Sequence, residues 1–266
     1  MADPIPFAEP EITPPKLRGT VVVRRETEDL IDAIAADMMI QAFNCARKFG
    51  DFHLALSGGS TPLPLYERLM IDPKYRDFPW VRTHLWIVDE RRVGFDSEKS
   101  NFRAIDEILG EHSGMPREQV HPIMALREDA DEDYERTLRQ AMFFREKGQD
   151  RLDFVLLGMG GDGHTASLFP HSPALREQTH ENGPARLVRI NAGPTVVPPD
   201  RVTMTYPLLN ASRFVAVMAT GAGKRETISK LVLRRDEPGA EQDLPILGIK
   251  VKAGELRWYL DGAACG

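Results

Sequence analysis

A carboxylate and an imidazole stand two residues apart in the segment LGMGGDGHTASLFP, as Asp162 and His164. The segment ends an apolar run, LDFVLLG, that is typical of a strand covered on both faces. Histidine takes up and returns protons near neutral pH, so a histidine beside a carboxylate in a glycine-rich turn is suited to general acid–base catalysis. We interpret this turn as a candidate catalytic centre.

The glycines of the same turn also match two nucleotide-binding patterns. The stretch 158–163 satisfies G-x-G-x-x-G after a strand, the pattern of dinucleotide sites. However, Pro170 and Pro173 interrupt the helix that such a site needs, and His164 stands where a phosphate-binding P-loop carries lysine. A dinucleotide site and a P-loop are therefore both minor alternatives. No spacing typical of metal ligands, such as H-E-x-x-H, appears, and we expect neither a metal nor a cofactor.

A second motif lies between a predicted strand and a predicted helix. It comprises Ser57, Gly58, Gly59, Ser60 and Thr61. Glycines there let backbone N–H groups and a helix N-terminus approach an anion, although a tight turn with no ligand would look the same. Ala55 stands where a serine-hydrolase nucleophile elbow needs glycine, so this motif does not predict a hydrolase triad.

Two more motifs follow predicted strands, DERR at 89–92 and GAGK at 221–224. Arg91 can offer its planar guanidinium to a phosphate or carbonyl oxygen, and Lys224 can meet an anion as a point charge. The simpler alternative is that neither residue binds a ligand: Arg91 would be a solvated charge at the end of a strand, and Lys224 a solvated charge at the start of a helix. Ligands of open α/β sheets bind outside the carboxyl ends of the strands, so four motifs at four strand ends predict one crevice.

Short apolar runs alternate with longer amphipathic stretches from Gly19 onward, the pattern of βα units. We expect an α/β, Rossmann-like fold whose mostly parallel sheet has helices on both faces. Residues 19–266 are expected to form a single catalytic domain after an extended, proline-rich arm over 1–18. Among the elements, the pattern predicts one strand over 83–90, later strands at 186–190 and 202–206, a helix capped near Thr27, and a charged helix over about 129–147.

The composition of the chain limits which kinds of partner and which cellular location we expect. The chain has 34 Lys and Arg against 40 Asp and Glu, a net charge of -6, and no long basic run, which argues against nucleic acid. Cys45 and Cys265 are far apart, so no disulfide framework or cysteine metal site is indicated. No signal sequence or bilayer-spanning run is evident. We expect a cytoplasmic monomer or weak homodimer without a membrane partner.

The motifs, in this order and spacing, resemble the 6-phosphogluconolactonase family. The matching segments are SGGSTP, WIVDERRV followed by SNFR, LDFVLLGMGGDGHTASLFP, VTMTYPLLNAS, GAGK and a terminal RWYLD. The resemblance implies the fold of the glucosamine-6-phosphate deaminases, no cofactor, and hydrolysis of 6-phospho-D-glucono-1,5-lactone to 6-phospho-D-gluconate in the pentose phosphate pathway. One departure is Gly94, near which the family commonly has proline.

The resemblance also implies roles for the residues. His164 becomes the general base that activates water, Asp162 orients it, and Arg91 or a backbone N–H of a nearby glycine stabilises the oxyanion. The predicted phosphate and sugar contacts are Ser57, Gly58, Gly59, Ser60, Thr61, Asp89, Asn101, Arg103, Gly161, Gly163 and Lys224. Arg91 and Lys224 are both candidates to hold the phosphate, and which of them does so and which faces the carbonyl stays open.

Two other functions remain open. The related glucosamine-6-phosphate deaminases follow their D-G-H with a stretch like I-A-F-N-E-P that bears a catalytic glutamate, and their D-E with tyrosine. Here TASLFP follows His164, and Arg91 follows Asp89 and Glu90, which favours the lactonase. A non-catalytic sugar-phosphate sensor is the third possibility, but no helix-turn-helix pattern precedes the predicted sheet.

Overall fold

The structure is a computed structural model that describes residues 12–177 and 185–265. Most of the arm predicted over 1–18 lies outside the described residues, and 12–18 contain no helix or strand. The single domain predicted for 19–266 stays a prediction. The strands are β1 Thr20–Arg24, β2 Phe52–Leu56, β3 Thr83–Ile87, β4 Asp89–Arg91, β5 Val120–His121, β6 Phe154–Gly158, β7 Val188–Ala192, β8 Asp200–Met204, β9 Phe214–Ala219 and β10 Glu255–Asp261.

Seven strands form one sheet in the order β1-β10-β9-β6-β2-β3-β5, and every neighbouring pair is parallel. Strands β2 and β9 are buried along their whole length, as expected for strands covered on both faces. Strands β9, β6, β2 and β3 are consecutive neighbours, and the four motifs follow these strands. The topology therefore brings the four strand ends side by side.

A second, antiparallel sheet has the order β4-β8-β7. The single strand predicted over 83–90 is therefore wrong, because the chain leaves the parallel sheet after Ile87 and pairs with β8 from Asp89 onward. Val88 lies between the sheets, since its amide donates to Leu56 and its carbonyl accepts from Met204. The strands predicted at 186–190 and 202–206 are present, shifted by about two residues, in this small sheet.

The α-helices are α1 Thr27–Phe49, α2 Leu63–Ile71, α3 Asn101–Ile105, α4 Ala130–Ala141, α5 Tyr206–Ala211, α6 Arg225–Arg234 and α7 Gly262–Cys265. Helix α1 begins at Thr27, close to the predicted start, but the predicted side-chain cap is wrong. Glu26 precedes the helix without a side-chain cap, and the Thr27 hydroxyl donates to Asp261 Oδ2. The predicted helix over 129–147 ends early, at Ala141. Among the described residues, no helix is both long and apolar enough to cross a membrane.

Three histidines and a tryptophan stack beside one another on β2, β3 and β5. His53, His84 and Trp86 come from the two neighbouring strands, and His121 lies 3.7 Å from Trp86 between ring centroids. His84 Nδ1 and His121 Nε2 are 3.0 Å apart, so one imidazole donates a hydrogen bond to the other. Burial, followed by the charge of neighbouring imidazoles, lowers the pKa of His84 to about 4 and that of His121 to about 3.

These two histidines predict a loss of stability in mild acid. In the unfolded chain both take up protons near pH 6.5, whereas in the folded chain they stay neutral until about pH 4, so the unfolding free energy falls as pH drops through that window. We expect roughly 1–2 kcal/mol per imidazole at pH 5 relative to pH 7.5, after allowing for partial exposure. Urea unfolding at the two pH values measures it.

The matched control for this prediction is an exposed histidine, His112. The double variant His84→Gln/His121→Gln should show a smaller difference in unfolding free energy between pH 7.5 and pH 5 than the wild type. The variant His112→Gln should keep the wild-type difference. Equal pH dependence in the wild type and the double variant would contradict the prediction.

Candidate active site

A cavity of about 410 Å³ lies at the carboxyl ends of β2, β3 and β6. Its lining includes eight of the residues predicted from the sequence: Ser57, Gly58, Gly59, Thr61, Asp89, Arg91, Asn101 and His164. Val196, Val197 and Arg201, from β8 and the loop before it, also line the cavity. The predicted crevice is thus present, and it has one wall that the motifs did not indicate.

The turn after β6 folds back on itself and pairs Asp162 with His164. Gly160 donates its amide to the carbonyl of His164 at 2.8 Å, and His164 Nδ1 lies 2.6 Å from Asp162 Oδ1. Glycine is needed at 160, because a Cβ there would stand 2.2 Å from His164 Nδ1. Position 163 also favours glycine, because the φ of Gly163 is +81°, in the left-handed region that other residues rarely adopt.

The pairing fixes the tautomer of His164. An ionised carboxylate only accepts hydrogen bonds, so Nδ1 carries the proton and Nε2 is left with a lone pair. Burial raises the pKa of Asp162, but the hydrogen bond from His164, and the positive charge of that imidazole whenever it is protonated, outweigh burial and hold the pKa below its ordinary value. Asp162 is therefore a carboxylate at neutral pH. In the neutral form of this cavity-lining histidine, the unprotonated nitrogen is therefore Nε2.

The loop after β2 presents backbone amides. Between Gly58 and Thr61, no amide donates to an acceptor within the described ranges of the chain. The loop is anchored at Ser57, whose hydroxyl donates to Leu156 and whose carbonyl accepts from Tyr66. Gly59 adopts a φ of +91°. Unpaired amides in such a loop, ahead of α2, form an anion-binding arrangement.

Glu90 holds the next segment in place. Its buried carboxylate accepts hydrogen bonds from the amides of Arg91, Asn101 and Phe102 and from the hydroxyl of Ser100. These bonds fix the start of α3 against β4. The Asn101 side-chain amide then donates to the carbonyl of Asp89 at 2.6 Å. Glu90 is thus structural, and its neighbours on both sides reach the cavity.

Two guanidinium groups line the cavity. Arg91 is half-buried and donates to the carbonyl of Lys99, while Arg201 is buried and lies above the ring of Phe169. Burial lowers the pKa of Arg201, with the nearby carboxylates of Asp89 and Glu90 opposing that effect. Together with the loop amides, these cations make the cavity suited to a small anionic ligand.

One group of possible metal ligands occurs in the described part of the chain, formed by Asp51, His53 and His84. It lies near the starts of β2 and β3, away from the cavity. Trp86 Nε1 donates to His53 Nδ1, so the neutral imidazole carries its proton on Nε2 and donates it to Asp51. The ring therefore has no free lone pair for a metal.

Comparison with known proteins places the chain in a family. A family model described as glucosamine-6-phosphate isomerases/6-phosphogluconolactonase matches residues 25–258. The chain belongs to this family. It is 35% identical over 257 residues to the 6-phosphogluconolactonase of Nostoc, covering 93% of this chain and 98% of that protein. It is 39% identical over 250 residues to the human GDH/6PGL endoplasmic bifunctional protein, covering 92% of this chain. The chain spans only 30% of the length of that human relative.

A solved structure of the same family supports the architecture. The 6-phosphogluconolactonase from Thermotoga maritima is 30% identical, with a TM-score of 0.74 over 91% of this chain and 99% of that one. The predicted α/β fold, with its mostly parallel sheet flanked by helices, is confirmed. The prediction, made from the motifs, that the chain resembles the 6-phosphogluconolactonase family is confirmed as well.

Six of the site residues predicted from the sequence do not line the cavity: Ser60, Arg103, Gly161, Asp162, Gly163 and Lys224. Asp162 contacts His164, which does line the cavity. Arg103 bonds to Glu107 and to the carbonyl of Asp96, on the exposed side of α3. The ammonium of Lys224 donates to the carbonyl of Met159, which itself lines the cavity. Burial lowers the pKa of Lys224, and the nearby Asp162 carboxylate opposes this.

Arg201, Ser167 and Phe169 also line the cavity, although the motifs did not indicate them as site residues. Arg201 lies at the start of β8, where a basic residue before an apolar strand looks like an ordinary boundary with solvent. Ser167 and Phe169 stand inside the TASLFP segment that carried the resemblance. Nothing in their spacing showed that they face the same cavity as Asp89.

Proposed function

We propose that this chain hydrolyses 6-phospho-D-glucono-1,5-lactone to 6-phospho-D-gluconate, a step of the oxidative pentose phosphate pathway. The observation that carries the proposal is the hydrogen bond from His164 Nδ1 to Asp162, which leaves Nε2 as an acceptor in an anion-suited cavity. The relatives from Nostoc and Thermotoga maritima that bear the name 6-phosphogluconolactonase support it.

The proposed reaction needs one base and one site for negative charge. Water attacks the lactone carbonyl carbon while His164 Nε2 takes its proton, and Asp162 stabilises the resulting imidazolium. The oxyanion is stabilised by Arg91 or by a backbone amide of the glycine turn. When the bond between the carbonyl carbon and the ring oxygen breaks, the imidazolium returns its proton to that oxygen. The product acid then ionises.

The phosphate is assigned to the loop from Ser57 to Thr61. Four amides that have no acceptor in the described parts of the chain, together with the cavity-lining guanidinium groups of Arg91 and Arg201, provide positive potential there. Lys224 donates to the carbonyl of Met159, a residue that lines the cavity, and its ammonium is assigned to the same anion.

Amino-sugar isomerisation with deamination is less well supported. The residue five positions after His164 is Phe169, whereas the deaminase motif carries a glutamate there. The Phe169 ring lies 5.1 Å from that of His164 and can neither take nor give a proton. Parallel assays decide the matter: we expect acid release from the lactone above its spontaneous rate and no ammonia release from glucosamine 6-phosphate. Ammonia release without lactone hydrolysis would overturn the proposal.

Replacing Lys224 by alanine is expected to raise KM about tenfold while kcat changes little. Phosphate binding is largely uniform between ground and transition states, so its loss weakens binding rather than chemistry. Initial rates across a range of lactone concentrations measure both constants. Lys230→Ala is the matched control, since Lys230 lies on α6 in an exposed pair with Glu226. An unchanged KM in Lys224→Ala would remove Lys224 from the phosphate site.

Several expectations from the sequence accompany this proposal and stay predictions. They are a cytoplasmic location, a monomeric or weakly dimeric chain, and no nucleic-acid partner. The net charge of -6 and the lack of a basic run support the last of them.

A further inference from the structure

Ser167 is bonded through all of its polar groups to three different strands. Its hydroxyl donates to Asp89 Oδ2 at 2.6 Å, its amide donates to Thr203 Oγ1 at 3.1 Å, and its carbonyl accepts from Asn191 Nδ2 at 2.8 Å. Asp89, Thr203 and Asn191 belong to β4, β8 and β7 respectively. The residue is buried, with 1% of its surface exposed. Ser167 therefore joins the catalytic segment to the whole small sheet.

The turn that delivers Ser167 begins directly after the proposed base. Thr165 donates its hydroxyl to the carbonyl of Gly158, and Leu168 donates its amide to the carbonyl of Thr165, which closes a tight turn. Ala166 within this turn has a φ of +49°, a conformation that favours glycine. Surrounding contacts must hold such a residue in place, and the bonds of Ser167 add to those of Thr165 and Leu168 in doing so.

The Ser167 hydroxyl also fixes the orientation of the Asp89 carboxylate. Asp89 lines the cavity, and only 7% of its surface is exposed. Ser167 binds Oδ2, while no donor in the described ranges binds Oδ1. A carboxylate oxygen only accepts hydrogen bonds, so Oδ1 can accept one from a ligand that enters the cavity. The ring hydroxyls of a sugar lactone are such donors, whereas its phosphate and carbonyl oxygens are not.

We propose that Ser167 is a positioning residue that aims Asp89 Oδ1 at a ring hydroxyl of the substrate and so sets the preference for a hydroxylated lactone. This inference rests on the proposed lactone hydrolysis. Ser167 itself touches no reacting atom and acts through Asp89. Sites that hydrogen-bond a substrate hydroxyl reject the analogue that lacks it, because the buried protein group is left unpaired.

The test compares 6-phosphogluconolactone with its 2-, 3- and 4-deoxy analogues, by the ratio of kcat/KM values. For the wild type we expect a preference of about 100-fold or more over at least one analogue. In Ser167→Ala this preference should fall by about tenfold or more, mostly because kcat/KM for the parent lactone falls. Asp89→Asn should lose the same preference, and adding Ser167→Ala to it should change little further.

Two variants separate positioning from general damage. Ser172→Ala removes another buried hydroxyl of the same network, which accepts from Asn191 and does not touch Asp89, and it should keep the wild-type preference. Ser167→Cys keeps the size and a weak donor, so its preference should lie between those of the wild type and Ser167→Ala. It also provides a result if the alanine variant does not fold.

The outcomes distinguish this inference from the proposed function. No hydrolysis of the parent lactone by the wild type would remove the proposed function itself. Hydrolysis by the wild type with equal rates for all deoxy analogues would overturn the inference alone. So would a full wild-type preference in folded Ser167→Ala, or an equal loss of preference in Ser172→Ala.

Discussion

Replacing His164 by alanine is expected to lower kcat for the lactone by a factor of about 10²–10⁴, because general base assistance contributes about that factor. The fold is expected to stay intact. The side chains of His164 and Asp162 are 28% and 39% exposed, so removing the imidazole leaves no buried unpaired charge. Initial rates at saturating lactone, corrected for spontaneous opening, measure the effect, and circular dichroism checks the fold.

A second aspartate–histidine pair provides the matched control. His171 lies 3.1 Å from Asp243 and is largely exposed, outside the cavity lining. Because its φ is +60°, asparagine is the appropriate replacement, since asparagine tolerates that conformation. His171→Asn should retain wild-type turnover. Near-wild-type kcat in His164→Ala would remove His164 from the role of base.

Replacing Arg145 by methionine is expected to cost about 3–5 kcal/mol of unfolding free energy, because it leaves buried carboxylates without their partner. The guanidinium contacts Asp51 Oδ1 at 2.5 Å and Asp153 Oδ2 at 2.7 Å. The Arg145 side chain is 1% exposed and that of Asp153 is fully buried. Arg213 also reaches Asp153, at 2.8 Å, but it does not contact Asp51. Urea unfolding followed by tryptophan fluorescence measures the loss.

The same substitution at an exposed arginine is the control. Arg136 pairs with Asp133 on α4, and its side chain is 54% exposed. Exposed pairs contribute little, so Arg136→Met should change the unfolding free energy by about 1 kcal/mol or less. Similar losses in the two variants would show that the buried network does not carry the expected energy.

The parallel part of the fold could be predicted from sequence, because strands such as Phe154–Gly158 are apolar along their length and are followed by turn residues. The small sheet could not. An apolar run that continues through Val88 looks like one strand, and only pairing with distant Val202 shows that it serves two sheets. The helix ending at Ala141 was mispredicted for a similar reason, since Arg145 turns inward to meet Asp51.

In the candidate site, the groups that could be predicted from the sequence are those whose partners are close in the chain. The pair Asp162 and His164 is two residues apart, and one glycine turn brings it together. Arg201 and Ser167 depend instead on contacts with distant elements, which spacing does not encode. Arg103 illustrates the opposite case: it follows Asn101 by two residues, and the helix carries its side chain away from the cavity.

Acid release from freshly prepared 6-phosphoglucono-1,5-lactone, followed in a pH-stat near neutral pH, tests the proposed hydrolysis most directly. Each opened lactone releases one proton, because the product carboxylic acid ionises at that pH. We expect a rate that exceeds the spontaneous rate, rises in proportion to wild-type protein, saturates with lactone, and falls toward the spontaneous rate when His164→Ala replaces the wild type. A rate equal to the spontaneous one at every concentration of wild-type protein would contradict lactone hydrolysis.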